Sequence, residues 1–244
     1  MKTSKGKQPA SFVAGISEIK DFSEIAHYGR VGLLKEWIWK SKSSHKFSCD
    51  VMEKMRFCIE DLNKIAKNEE QITMEKLVYC VALVDWLTSG LHLLEKTMYS
   101  AILEDFKYKF ENEYETAIAF FRAIRSFVLA HPLETNRHPN YEFDGKIVCS
   151  DFRSPDAPLI KASPKKAPRF YYLDTTKQRE FTDFDNPDFY LLVHHKEADD
   201  YTLRYIGCNL SLIFNVAHIT VHRIYALDRF LKTVTQKKYK SKCK

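Results

Sequence analysis

Prolines divide this chain into three parts. Seven of its eight prolines lie between residues 132 and 187. A proline lacks the backbone N–H, and its ring collides with the preceding turn of a helix, so no long helix can form between prolines spaced this closely. The segments on either side carry apolar residues at steps of three and four, which are typical of amphipathic helices. The prolines therefore predict helices at both ends of the chain and a different structure between them.

Four helices are predicted before the prolines. Apolar residues recur with helical spacing over residues 21–42 and over residues 48–67. Thr73 is a candidate N-cap for a third segment, which is apolar on all sides and should lie inside the fold. This segment continues into the more amphipathic stretch 98–110, and the fourth helix covers about residues 112–131.

Short extended segments are predicted between the prolines. Residues 146–152, 169–173 and 189–195 are rich in Val, Ile, Phe and Tyr, which favour strands. We expect them to form a small antiparallel sheet in a loop-rich insertion that covers residues 132–198. Helical spacing returns at Asp199 and predicts one last long helix.

This last segment carries a heptad pattern that admits two interpretations. Its ten positions are Leu203, Ile206, Leu210, Ile213, Ala217, Thr220, Ile224, Leu227, Leu231 and Val234. A coiled coil with a second copy of the chain would use such a pattern, and so would a helix packed inside its own bundle. The small residues in the middle and the irregular flanking charges favour the second. The expected fold is mainly α, a helical bundle in one domain, 1–244, with the β insertion at 132–198.

Composition and charge exclude several classes of protein. Lysine and arginine number 38 against 32 acidic residues, and part of this excess lies near the two ends of the chain, a mild preference for polyanionic partners. The six cysteines form no Cys-x-x-Cys pair, which is typical of reduced thiols in a cytoplasmic protein. No signal peptide, membrane span, glycine-rich phosphate loop or Gly-x-Ser-x-Gly motif is apparent, so neither nucleotide hydrolysis nor common acyl transfer is expected.

Arg125 and His131 form the motif with the clearest chemistry. They stand six residues apart near the end of the fourth predicted helix, directly before Pro132. A guanidinium group can hold a phosphate, and a neutral imidazole can remove the proton of a ribose 2′-hydroxyl. At 100° per residue the two side chains would lie about 240° apart on an ideal helix. Unwinding of the helix before Pro132, or a second subunit, would be needed to bring them together.

The motif resembles that of the HEPN superfamily of helical-bundle ribonucleases. In that family an arginine is followed by a commonly polar residue, here Ser126, and then by a histidine, here His131. The resemblance implies a metal-independent endoribonuclease without a cofactor that dimerises with its motifs facing each other. It also implies a role in bacterial defence or toxin systems, with an antitoxin or another protein as a possible partner. The tyrosine that toxin-like members carry two residues after the histidine is Leu133 here.

Roles follow for the residues around this motif. His131 would act as general base on the 2′-hydroxyl, and Arg125 would stabilise the charge that builds on the phosphate oxygens. Ser126 would bind a phosphate or orient the imidazole, and Arg122 would contact a neighbouring phosphate. Asp85, an acid within the apolar third helix, would orient Arg125 or His131, because a buried carboxylate needs a cationic partner.

Two further segments are candidate RNA contacts. Arg137 and His138 belong to a polar cluster after the motif, which could line a binding site or be an ordinary exposed loop. Residues 161–172 mix basic and aromatic side chains, a combination that can bind single-stranded nucleic acid. The alternative is a basic loop that leads into a core strand.

Structural interpretations of the same residues remain open. An arginine beside an apolar stripe often extends along its neighbours to solvent, and a histidine before a proline often caps a helix. The chain would then be a non-catalytic module that binds protein or RNA. His218 and His222 have the i, i+4 spacing of a metal pair, but no third ligand is placed, so no metal is predicted. His194 and His195 point to opposite faces of a strand and cannot chelate together.

Overall fold

The protein is mainly α-helical, with one mixed β-sheet. This description is based on a computed structural model. The structure describes residues 17–22, 32–67, 73–130, 138–141, 147–153, 169–182, 185–197 and 200–234. Within these residues it contains five α-helices and a five-stranded sheet.

Four helices precede the sheet in the sequence, and one helix follows it. They are α1 Lys42–Ala66, α2 Met74–Thr97, α3 Ser100–Asp105, α4 Glu111–Arg125 and α5 Leu210–Thr233. Thr73 caps α2 as predicted, because its side chain accepts a hydrogen bond from the backbone N–H of Lys76. Ser41 caps α1 in the same way, so this helix begins seven residues before the predicted Ser48.

Helices α2 and α5 form the centre of the hydrophobic core. Helix α2 packs against both α1 and α5, and α4 packs against α5. The eight positions of the heptad pattern from Leu210 to Val234 are all buried within the chain. This agrees with packing inside the same chain, the second of the two interpretations of that pattern.

Two of these helices are apolar enough to meet the criteria for a membrane span. Helices α2 and α5 have mean hydropathies of 1.6 and 1.2 over their most apolar windows, and half or more of those residues are buried inside the fold. Core helices of soluble proteins meet the same criteria, because length and composition do not reveal what surrounds a helix.

The helix predicted over residues 21–42 is not formed in its described part. Gly32–Leu34 and Glu36–Ile38 form two separate 3₁₀ turns, and residues 23–31 lie outside the described residues. Gly32 has a φ of +40°, in the left-handed region that interrupts a helix and favours glycine. Periodicity alone could not reveal this, because the apolar residues of the turns are buried just as those of a helix would be.

Asp228 of α5 holds the first of these turns. Its carboxylate is 1% exposed and accepts the backbone N–H of Leu33 at 3.1 Å. The ammonium group of Lys232 lies 2.8 Å from the other carboxylate oxygen. A Cβ atom at Gly32 would stand 1.9 Å from the Asp228 carboxylate, so the contact requires glycine.

The strands form one sheet in the order β1-β4-β5-β2-β3. They are β1 Ile147–Arg153, β2 Arg169–Leu173, β3 Gln178–Glu180, β4 Phe189–Glu197 and β5 Asp200–Cys208. The predicted strands correspond to β1, β2 and β4. The prediction of an antiparallel sheet was wrong in part, because β2 pairs with β5 in parallel while the other pairs are antiparallel.

The predicted start of the last helix was also wrong. Asp200–Cys208 is a strand in the middle of the sheet, and α5 begins only at Leu210. Hydrogen bonding to β4 on one side and β2 on the other stabilises this strand, and such long-range pairing overrides a local helical pattern. The backbone N–H of Leu210 bonds to the Asp188 carboxylate at 2.7 Å, which fixes the helix start. The β region therefore extends beyond the predicted boundary at residue 198.

Substitution of Gly32 tests the contact with Asp228. Gly32→Ala should lower the free energy of unfolding by at least about 2 kcal/mol, because it combines a left-handed backbone with a steric clash. Gly90→Ala is the comparison, since its Cβ would stand 2.7 Å from Cγ and Sδ of Met55, a flexible side chain, and its backbone is not left-handed. That variant should lose less stability than Gly32→Ala, because alanine also favours a helix by about 1 kcal/mol over glycine. Equal losses in chemical denaturation would contradict the assignment.

Candidate functional site

Helix α4 positions three of the predicted site residues at its C-terminal end. Its apolar side faces the core, and the residues buried there include Phe120, Phe121, Ala123 and Ile124. Arg122 is exposed, Arg125 is partly exposed, and Ser126 directly follows the last α-helical residue. His131 and Arg137 lie outside the described residues.

A π-helical turn follows α4 and covers Ser126–Ala130. The Ser126 hydroxyl donates a hydrogen bond to the carbonyl of Arg122 at 2.9 Å, a pattern that bends helices. Pro132 has no N–H to offer the carbonyl four residues earlier, so regular α-helical bonding must end before it. Single π turns occur often at functional sites. The turn after Arg125 therefore departs from the ideal helix that was assumed for the angle between positions 125 and 131.

Arg125 forms an ion pair with Asp85 of α2. The guanidinium Nε lies 2.6 Å from a carboxylate oxygen of Asp85. The N–H direction does not satisfy a hydrogen bond, so we describe the contact as ionic. The Arg125 side chain is 41% exposed and that of Asp85 is 21% exposed. The pair thus lies at the protein surface, where the guanidinium group remains accessible to solvent.

Ser126 also contacts His138, which follows residues 131–137 in the sequence. The hydroxyl oxygen lies 2.7 Å from His138 Nε2. The single hydroxyl proton is donated to the Arg122 carbonyl, because a carbonyl can only accept. The hydroxyl oxygen therefore accepts a hydrogen bond from Nε2–H of His138, which assigns the tautomer with the proton on Nε2. In the neutral ring, Nδ1 is then the basic nitrogen.

A groove of about 570 Å³ runs between α2 and α4 beside the ion pair. Four acidic and two arginine side chains are among its lining residues: Asp85, Glu95, Glu111, Glu115, Arg122 and Arg125. The two arginines are on the last two turns of α4, whereas Glu111 and Glu115 are on its first two turns. Only the end of the groove near the C-terminus of α4 therefore carries the positive charge that attracts a phosphate.

Arg223 of α5 is the charged residue that sequence reasoning missed. Its guanidinium group pairs with Glu95 at 3.1 Å and also with Glu111. Three rings surround it at 4.7 to 5.6 Å, those of Phe106, Tyr108 and Tyr114. Burial raises the pKa of both tyrosines to about 12, so their hydroxyls stay protonated at neutral pH. The only signal in the sequence was an arginine near the middle of an apolar helix.

His218 and His222 each have their own partner in the fold. His218 Nε2 lies 3.1 Å from the carbonyl of Ser17, and His222 Nδ1 lies 2.7 Å from the hydroxyl of Tyr108. Burial lowers the pKa of both imidazoles. Among the described residues, no group of three His, Cys, Asp or Glu side chains could hold a metal ion.

The aromatic residues of segment 161–172 pack on the sheet. Phe170 stacks on Tyr205 with ring centroids 5.0 Å apart, and Arg204 lies over the ring of Tyr171. Arg179 lies over the ring of Tyr172 at 4.6 Å. The aromatic part of this segment therefore belongs to strand β2 of the sheet. Residues 161–168, which carry the lysines, lie outside the described part.

Comparisons with known proteins give no relative. No protein-family model, no curated protein and no solved structure matches this chain. The resemblance to HEPN ribonucleases is therefore based on the motif residues alone. The function must be inferred from the geometry around Arg125 and Ser126.

Replacement of Arg223 tests its role between the helices. Arg223→Met should lower the free energy of unfolding by about 3 kcal/mol, because two carboxylates would lose their shared cation. Arg56→Met is the control, since Arg56 also pairs with two glutamates but on the exposed surface of α1. This control should change stability by less than about 0.5 kcal/mol. Thermal and urea unfolding of both variants would measure the difference.

The half-buried histidines His218 and His222 predict a pH dependence of stability. Their pKa values are lower in the folded chain than in the unfolded chain, so the unfolded state binds protons first as the pH falls. The free energy of unfolding should therefore decrease below the ordinary histidine pKa of about 6.5. Substitution of His218 and His222 by glutamine should flatten this dependence between neutral pH and the pH at which carboxylates titrate.

Proposed function

We propose that this chain is a metal-independent endoribonuclease of HEPN type, with its site at the C-terminal end of α4. The observation that carries the proposal is the ion pair of Asp85 with Arg125, next to the hydrogen bond of Ser126 with His138. The guanidinium group of Arg125 is accessible to solvent at the end of α4. The next residue, Ser126, holds the imidazole of His138 in one tautomer. We also propose that the helices form a bundle of the kind found in that family.

Arg125 would bind the phosphate of the substrate. Its contact with Asp85 uses Nε, so a phosphate would be held through the terminal amino groups of the guanidinium. Asp85 would act as a positioning residue, because it restricts the side chain to the mouth of the groove. Arg122, one turn earlier and exposed, would bind a neighbouring phosphate.

The reaction would proceed by attack of the ribose on its own phosphate. His131 takes the proton of the 2′-hydroxyl, and the oxygen forms a bond to phosphorus. The bond to the 5′-oxygen breaks, and this oxygen takes a proton from a water molecule. The hydroxide that remains accepts the proton held by His131, which restores the base. The products are a 2′,3′-cyclic phosphate and a 5′-hydroxyl. Arg125 stabilises the charge on the two non-bridging oxygens, and Ser126 holds His138 as a substrate contact.

The charge of the groove limits how RNA would approach. Glu95 and Glu111 are paired with Arg223, and Glu115 adds one more negative charge at the far end. An RNA strand would therefore cross the end of α4 near Arg122 and Arg125 and avoid the rest of the groove. Arg137 would extend this contact.

The cellular setting of the proposal comes from the resemblance alone. A nuclease of this type would work in the cytoplasm, in bacterial defence or as a toxin held by a protein antidote. It would form a homodimer, and it would need no cofactor.

The alternative function is a non-catalytic module that binds protein or RNA. The observation in its favour is the same ion pair, since Asp85 and Arg125 join α2 to α4 and would then be purely structural. The groove, with four acids to two arginines, is also not a typical RNA-binding surface.

Cleavage of RNA in the presence of EDTA tests the proposal. The purified chain should release products with 2′,3′-cyclic phosphate ends. Arg125→Ala and His131→Ala should each reduce the rate by at least about a hundredfold. Asp85→Asn should reduce it less, with a normal melting temperature. Arg56→Ala is the matched control, because its side chain is 46% exposed against 41% for Arg125, and it should cleave as the wild type does.

Two results would reject the nuclease. The first is cleavage that survives in both Arg125→Ala and His131→Ala. The second is absence of cleavage together with a loss of several kcal/mol in the unfolding free energy of Arg125→Ala, which assigns the arginine to the scaffold. RNA binding that weakens with salt but yields no product would identify a binding module.

A further inference from the structure

The outer face of α1 and α2 carries most of the exposed apolar side chains of the described residues. Seven large apolar side chains are exposed in that part of the chain, and six of them are on these two helices. Five of these six, at 39 to 42% exposure, lie on one side of the helix pair. They are Phe47, Phe57, Tyr79, Trp86 and Leu93. We call these five residues the outer stripe. Exposed apolar patches of this kind mark interaction surfaces.

Contacts between the two helices join the outer stripe into one surface. The ammonium group of Lys54 on α1 lies 3.7 Å from the ring centroid of Trp86 on α2 and 4.9 Å from that of Phe57. The hydroxyl of Tyr79 bonds to the carboxylate of Asp61. Phe57 and Trp86 therefore lie at the same level of an antiparallel helix pair.

The spacing along α2 is that of a helix that packs against another helix. Tyr79, Trp86 and Leu93 follow each other at steps of seven. The small residues Ala82 and Ser89 lie between them, so the five positions follow each other at alternating steps of three and four. Alternating large and small side chains at heptad positions form the knobs and holes of helix packing.

The charges on α1 are complementary to themselves under a twofold axis. Along the same side of α1 lie Asp50, Lys54, Phe57, Asp61 and Lys64. If a second α1 runs antiparallel with the two Phe57 residues at the axis, Asp50 lies opposite the partner's Lys64. Each is seven residues, about 10.5 Å, from the axis.

The inner pair of charges also matches across this axis. Lys54 is three residues and Asp61 four residues from Phe57, so their heights differ by only about 1.5 Å. The same axis places Tyr79 opposite the partner's Leu93, since each is seven residues from Trp86. Opposite charges thus meet at two levels of α1, and apolar groups meet at the axis and at the level of Tyr79. Within one chain Asp61 also pairs with Lys64 at 2.6 Å.

We propose that the outer face of α1 and α2 is the twofold interface between two copies of this chain. A face that is two helices wide and about 36 Å long has a footprint of roughly 700 Å². This is close to the ~800 Å² that each partner contributes to a typical stable interface. In this proposal the interface takes the place of the motif-to-motif contact that the resemblance implies, and it does not depend on nuclease activity.

The mass of the full chain in solution tests the interface. Sedimentation of the wild type at micromolar concentration should give twice the chain mass of 28.6 kDa. Trp86→Glu should give a folded monomer, because it places two carboxylates at the axis. Met74→Glu is the matched control, since Met74 is 43% exposed at the start of α2 but lies off the outer stripe, and it should stay dimeric.

Exchange of charges tests the orientation of the two copies. Lys54→Glu and Asp61→Lys should each weaken the dimer by about tenfold, because like charges then meet across the axis. The double variant should recover most of the affinity. Only an interface in which Lys54 meets the partner's Asp61 gives this recovery, since the two residues lie two turns apart in one chain.

Three results would overturn the proposal. A monomeric wild type is the first, including one that instead binds anionic lipid vesicles through the outer stripe. A dimer that persists in Trp86→Glu, and thus uses another face, is the second. Failure of the double charge variant to recover affinity is the third. RNA cleavage by these variants reports separately on the proposed nuclease.

Discussion

The burial of α2 against α5 determines where the charged groups of this protein lie. Both helices are apolar over most of their surface, so they occupy the centre of the core. Their few charged residues must then reach the edges of the contact. Asp85 and Glu95 of α2 and Arg223 of α5 do so on the side that faces α4. The groove exists because these polar groups cannot enter the dry interior.

Two ion pairs along this groove have different consequences. Arg223 is largely enclosed between two carboxylates and three rings, so it ties α5 to α2 and α4 and is not accessible to a ligand. Arg125 and its partner Asp85 are both partly exposed to solvent. The same residue type is therefore structural in one pair and available for chemistry in the other, and the difference is burial. This contrast is why the proposed function is placed at Arg125.

Local patterns predicted those elements whose stability is local. The spacing of apolar residues predicted α2 and α4, and Thr73 predicted the first turn of α2. Strand-forming residues between prolines predicted β1, β2 and β4. The site residues could be named from the motif, but the contact of Ser126 with His138 could not, because it joins residues twelve positions apart in the sequence with Pro132 between them.

The sequence by itself determined that the chain is mainly helical, that its prolines confine the β-structure to the middle, and that an arginine stands at the end of an apolar helix. Only the tertiary structure decided that Asp200–Cys208 is a strand, that Gly32 lies against Asp228, and that Asp85 meets Arg125. Periodicity and capping act between residues a few positions apart. Strand pairing, steric fit and charge contacts join residues far apart in the chain, and these are fixed only when the whole core is assembled.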